Sequence, residues 1–320
     1  MRRFLLLCAG VAALAVLGPA GCARGPRQAA VREGYIQVPG GRVWYHIAGA
    51  NATKTPLLVL HGGPGGSSLY LRTLEALADE RPVIFYDQLG GGRSDRPADS
   101  TLWTLDRFVA ELAQVRAALG LREVHILGHS FGSMILADYM LTRHPEGVKS
   151  LVMACPPLSM KRWAHDADSL RTTLPDSIQK VIAKHERDGT FSSPEYQAAM
   201  MVFYRRYVSR RDPWTPEMDS TLAQWNVPIG TYMLGPSEFA VTGTLKDYDR
   251  SADLARMGVP TLFVGGEFDE ATPGAVEWYH ELTPNSEMLV IPGAGHMITQ
   301  DKPEDTVTGV RAFLHKHEGT

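Results

Sequence analysis

Val124-His-Ile-Leu-Gly128-His-Ser130-Phe-Gly132 is the stretch on which the reading of this chain turns. A short apolar run, strand-like at Val124 to Leu127, meets a G-x-S-x-G pentapeptide, and a helical pattern starts near Phe131 and runs to about Thr142. In such a strand-turn-helix setting the turn is too tight for side chains at the glycine positions, so Gly128 and Gly132 fit the geometry. The strain of the turn holds the Ser130 hydroxyl clear of the backbone, and the helix behind it directs its positive end at any negative charge forming there. The alternative, a glycine-rich structural turn, lacks a reason for the serine.

Outward from this point the pattern is one of alternation. Two short runs, Tyr35 to Val38 and Val43 to Ile47, flank a Pro-Gly-Gly turn and read as an antiparallel hairpin. Leu57 to Leu60, Pro82 to Tyr86 and Val148 to Ala154 read as buried strands, with helical patterns over Leu69 to Ala78 and Leu105 to Leu119. Apolar strands alternating with helices imply a mostly parallel sheet covered on both faces. From about Cys155 to Arg250 the alternation stops, and a helical, Met- and aromatic-rich stretch reads as an inserted cap. Strands resume at Pro260 to Val264 and Glu287 to Ile291, before a closing helix from about Pro303 to His315. The expected architecture is an α/β-hydrolase fold with a helical cap. The expected divisions are 1–22 export signal, 23–33 linker, 34–155 first part of the core, 156–250 cap and 251–320 second part.

A serine nucleophile needs a base, and the base needs an orienting carboxylate, in the chain order serine, acid, histidine for this fold. Among 11 histidines, His296 stands in the small-residue loop Gly293-Ala-Gly-His296 after the last strand, where an imidazole can reach Ser130. His315 and His317 read as solvated residues of the terminal helix and tail, His129 as a packing residue beside the nucleophile, and His61 as support for its own loop. Asp269 follows a strand through Gly265-Gly-Glu-Phe and precedes His296. Its rival Asp87 precedes Ser130, which is the wrong order, and reads as a tether for the turn at Arg93. Acyl transfer also needs two backbone donors for the oxyanion. Phe131, after the nucleophile, is one, and Gly63 in His61-Gly-Gly-Pro-Gly65 is the other; Pro64 has no N–H to offer. That loop has no Lys-Ser/Thr ending, so a phosphate loop is excluded.

Composition narrows the rest. The 320 residues carry a formal charge of -3, which supplies no basic field for nucleic acid. Met1 to Cys22 reads as an export signal: Arg2 and Arg3 lead an apolar stretch, Phe4 to Leu17, too short to span a bilayer comfortably. Ala20-Gly21 before Cys22 resembles a bacterial lipoprotein processing site, with Pro19 as a departure from its pattern. An uncleaved anchor helix is the alternative, opposed by Gly18-Pro19. The expected destination is the periplasm or cell envelope, with Cys22 as a lipid anchor. Cys155 is then the one thiol of the folded body, without Gly neighbours, and reads as a core residue rather than a nucleophile.

Five motifs together resemble the proline iminopeptidase family, which is similar to the tricorn-interacting aminopeptidase. They are His61-Gly-Gly-Pro-Gly65, Asp87-Gln-Leu-Gly-Gly-Gly-Arg-Ser94, Gly128-His-Ser-Phe-Gly-Ser133, Gly235-Pro-Ser-Glu-Phe239 and Gly266-Glu-Phe-Asp-Glu-Ala-Thr-Pro273. The resemblance spans roughly Tyr35 to Leu314; Gly91 departs from it where the family commonly has a non-catalytic Cys, and the export signal departs from its many cytoplasmic members. It implies release of a single N-terminal residue, often proline, from a short peptide or amino-acid amide, without metal or organic cofactor. It also implies that Glu238 and Glu270 hold the protonated N-terminus of the substrate. A free ammonium entering a closed pocket needs carboxylates to offset its desolvation. Read without the resemblance, Glu238 caps a helix and Glu270 is solvated, as glutamates usually are. Trp214, Trp225, Tyr232 and Phe239 are cap aromatics that either line a slot for the proline ring or simply pack. Two other functions stay open at this level. One is an esterase or amidase of the same fold; the other is a non-catalytic surface binding protein.

Overall fold

The computed structural model describes residues 30–319, so the signal segment with Cys8 and Cys22 lies outside the described residues. Eight strands form one sheet: β1 Arg32–Val38, β2 Gly41–Ala48, β3 Leu57–Leu60, β4 Val83–Tyr86, β5 Val124–His129, β6 Val148–Ala154, β7 Thr261–Gly266 and β8 Ser286–Ile291. Their spatial order is β1-β2-β4-β3-β5-β6-β7-β8. The hairpin β1–β2 and the β2–β4 pair are antiparallel, and every later pairing is parallel. Strand alternation sorts the core into two layers. Leu58, Leu60, Ile84 and Ile126 face one side, and Leu57, Val59, Phe85 and Leu127 face the other. Both faces are covered, which is why the central strands read as unbroken apolar runs.

Helices α1 Leu105–Ala118 and α2 Phe131–Arg143 pack on each other and on the first layer. The Thr104 hydroxyl opens α1 by accepting from the Arg107 N–H. Between β6 and β7 lies the helical insertion: α3 Met160–Arg171, α4 Asp176–Asp188, α5 Pro194–Phe203, a five-residue π turn Tyr204–Val208, α6 Pro216–Ala223 and α7 Val227–Met233. Ser193 and Thr215 cap α5 and α6, each followed by a proline at the first helical position. The insertion leaves and rejoins the core at one place, where Ser159 pairs with Asp249, and Arg250 clamps Asp138 at 2.6 and 2.9 Å. Helices α8 Pro273–Leu282, α9 Ile298–Asp301 and α10 Pro303–Lys316 complete the chain.

One surface expectation, for His317, needs correction. His315 is exposed, as expected, although it has an acidic partner, whereas His317 is not solvated. His315 lies 2.6 Å from Glu80, and His317 is buried with Glu287 at 3.3 Å. Asp87 tethers the turn as expected, its carboxylate accepting the Arg93 N–H at 2.8 Å, while the Arg93 guanidinium stacks over Trp44.

Candidate active site

β5 delivers Ser130 at its carboxyl end, the usual ligand side of an open α/β sheet. Ser130 sits at φ 52° and ψ -123°, a region that residues with side chains rarely occupy. The turn closes because the glycines let backbones touch. A Cβ on Gly128 would lie 2.5 Å from the Gly132 carbonyl oxygen, and one on Gly132 would lie 2.6 Å from that of Leu60. The Ser130 N–H donates to Ala154, and the Ser133 hydroxyl donates to the Ser130 carbonyl at 2.6 Å.

The structure brings His296 and Asp269 together, both buried. The His296 Nδ1–H donates to Asp269 Oδ1 at 2.7 Å, since a carboxylate only accepts there, and Nε2 is left as the basic nitrogen. Asp269 also accepts from the Ala271 N–H at 2.8 Å. Asp87 is saturated elsewhere, by Ser68 and the Arg93 N–H. Ser130 and His296 line the same cavity, of about 390 Å³, together with Gly62, Gly63 and Phe131.

His129 is more than the packing residue expected. Its Nε2–H donates to the His296 carbonyl at 2.9 Å, which leaves Nδ1 to accept from Tyr70 Oη–H at 2.7 Å. Tyr70 Oη in turn accepts the Gly62 N–H at 2.7 Å. Burial lowers the His129 pKa to about 3, so the ring stays neutral, as this chain of bonds requires. One relay thus joins the glycine loop, the nucleophile's neighbour and the His296 backbone. His61 secures the same loop from beneath, donating to the Gly62 carbonyl at 2.6 Å and accepting the Gln88 N–H at 2.9 Å. The Gly62 N–H is thus committed to Tyr70, and Gly63 beside it lines the cavity. Cys155 is buried, its thiol pushed up by burial and its S–H aimed at the His296 carbonyl, which suits a core residue.

Both predicted glutamates line the same cavity as Ser130 and His296. Glu238 caps no helix; its carboxylate accepts the Tyr204 hydroxyl at 2.9 and 3.1 Å. Glu270 is buried, not solvated; its Oε1 is 4.0 Å from His296 Nε2, and its Oε2 has no partner. Burial is the main force raising both carboxyl pKa values; for Glu270 the charges of Glu238 and Asp269 raise it further. A buried, unsatisfied carboxylate oxygen facing a cavity calls for a ligand that donates.

Trp214 and Trp225 line the cavity. Tyr232 is exposed and meets Trp103 edge-on, and Phe239 packs on Phe203 instead. Tyr204 and Trp163 also line the cavity, without a sequence signal of their own. Trp163 lines the wall beside His296 and donates its indole N–H to the Glu238 carbonyl at 3.3 Å. Neither stands in a motif; only membership of an aromatic-rich insertion marks them.

The chain is similar to known proteins over most of its length. The family described as alpha/beta hydrolase fold matches residues 55–303. The proline iminopeptidase of Heyndrickxia coagulans is 46% identical over 286 residues, covering 88% of this chain and 98% of that protein. That of Lactobacillus helveticus (strain DPC 4571) is 33% identical over 289 residues, covering 89% and 98%. Among solved structures, the Mycobacterium smegmatis proline iminopeptidase superposes with a TM-score of 0.83 at 36% identity, covering 90% of this chain and 99% of that one. VinJ superposes at 0.86 with 34% identity, covering 89% and 99%. The chain therefore belongs to the proline iminopeptidase family of α/β hydrolases.

Proposed function

We propose that this protein is a serine aminopeptidase that releases an N-terminal proline from short peptides or amino-acid amides through an acyl-enzyme. Ser130 Oγ attacks the first peptide carbonyl while His296 Nε2 takes its proton, and Asp269 steadies the imidazolium through Nδ1. The N–H groups of Gly63 and Phe131 hold the oxyanion. His296 then protonates the leaving amine, the C–N bond breaks, and water attacks the ester by the same route.

The observation that carries this reading is the position of Glu238 and Glu270 in the cavity of Ser130 and His296, with one Glu270 oxygen unpaired. A neutral acyl substrate gives the buried Glu270 and the half-buried Glu238 no cation to hold; a substrate ammonium gives them one. The activity is tested by mass spectrometry of tripeptides beginning with proline. We expect free proline and the intact dipeptide as the only early products, and early internal cleavage would contradict the proposal.

The location of the enzyme is part of the proposal. Support comes from the Arg2-Arg3 start, the apolar stretch to Leu17 and the small residues before Cys22. We infer export to the cell envelope with a lipid on Cys22. Feeding cells an alkyne-tagged fatty acid should label the protein, and Cys22→Ser should abolish the label. Equal labelling of both forms would remove the anchor assignment. Among the described residues no helix is long and apolar enough to cross a membrane.

A further inference from the structure

Tyr204, which touches Glu238, and the backbone that touches His296 belong to one short element. The π turn Tyr204–Val208 begins with the Tyr204 hydroxyl on Glu238 and ends with two carbonyls turned to the catalytic loop. The His296 N–H donates to the Tyr207 carbonyl at 2.8 Å, and the Met297 N–H to that of Val208 at 2.7 Å. The contact is backbone on backbone. A Cβ on Gly295 would lie 2.8 Å from the Tyr207 oxygen and 3.0 Å from that of Val208. Single π turns inside helices often occur at functional sites, because they redirect carbonyls that a regular helix would use internally.

One side chain fastens this joint. The Asp301 carboxylate accepts the Gly295 N–H at 2.8 Å, immediately before His296. It also accepts the Ser209 hydroxyl at 2.8 Å, the Arg210 N–H at 3.0 Å and the Arg211 N–H at 3.1 Å, immediately after the π turn. Four donors from two distant segments fill the lone-pair directions that a carboxylate has. Arg210 then lays its guanidinium 3.8 Å over the ring of Phe268, the neighbour of Asp269.

We propose that Asp301 is a positioning residue for the general base, clipping the His296 loop to the turn that supports the ammonium-binding Glu238. Asp301 touches neither substrate nor reacting atoms. Its effect passes through the Gly295 and His296 backbone, so the cap and the base hold a common geometry. The proposal rests on Ser130 and His296 being nucleophile and base, and not on the preference for proline.

Asp301→Asn tests it by placing an NH₂ group among donors while keeping the size of the side chain. Turnover of prolyl p-nitroanilide and of p-nitrophenyl acetate is measured, each per active site titrated to completion with a fluorophosphonate. We expect kcat to fall on the order of 10–100-fold for both substrates, because small misplacements of a catalytic group are that costly. KM should stay within about threefold, since no substrate contact is lost. A kcat per titrated site within about twofold of the parent overturns the proposal. If Asp301→Asn does not fold, Gly295→Ala pushes the same joint apart from the other side. It should show the same fall in kcat with little change in KM, and unchanged turnover again overturns the proposal. Failure of the parent on prolyl anilide, with normal ester turnover, would instead strike the aminopeptidase reading and leave this test intact.

Discussion

Ser130→Ala should lower kcat for prolyl p-nitroanilide by on the order of 10⁶-fold, with KM nearly unchanged, the scale seen when a serine-hydrolase nucleophile is removed. The hydroxyl projects from a strained turn that ten buried residues of α2 hold in place behind it, so alanine should alter the chemistry and not the fold. Adding His296→Ala to Ser130→Ala should cost little more, because nucleophile and base act as one unit. The same variant should lose labelling by a fluorophosphonate. Labelling that survives would place the reactive group elsewhere and revive the reading of a binding protein without a nucleophile.

The second large effect concerns the two glutamates. Glu238→Gln with Glu270→Gln should reduce kcat/KM for prolyl anilide by on the order of 10³-fold, as expected when a desolvated charge loses its partners. Turnover of p-nitrophenyl acetate, which has no ammonium, should change by less than about tenfold. Equal losses on both substrates would make the glutamates structural, and no loss on either would favour a plain esterase.

Stability should move the opposite way in the double variant. Burial raises both carboxyl pKa values in the native state above the ordinary 4.5 of the unfolded chain. The native form therefore binds more protons than the unfolded form between those values, and stability is lost as pH rises through that window. The glutamine variant escapes this loss. It should melt a few degrees higher than the parent at neutral pH, with the gap closing as pH falls toward the ordinary carboxylate range.

Much of this site is legible in the chain because its parts are local. The elbow needs Gly128 and Gly132 beside Ser130, and Asp269 and His296 each follow a strand in the order this fold demands. Parallel strands buried on both faces leave apolar runs that are easy to find, and the observed bounds of β6 match those read from the residues. What stays hidden is tertiary. Glu270 looks like any surface glutamate until Glu238 and the cap close over it. Tyr204 and Trp163 carry no motif because their partners come from far along the chain. Asp301 looks like a helix-end carboxylate, and only the folded π turn brings it three donors from Ser209 to Arg211. The cap aromatics divide for the same reason: Trp214 and Trp225 face the cavity, and Tyr232 and Phe239 do not.

The role proposed for Glu238 and Glu270 requires a substrate that arrives with a positive charge at its first atom. Comparing kcat/KM for L-prolyl p-nitroanilide with that of its N-acetylated form isolates this point. A need for the free ammonium predicts that acetylation removes at least about 10²-fold of kcat/KM, from the lost charge-assisted hydrogen bonds alone. Turnover of the two compounds at similar rates would contradict it.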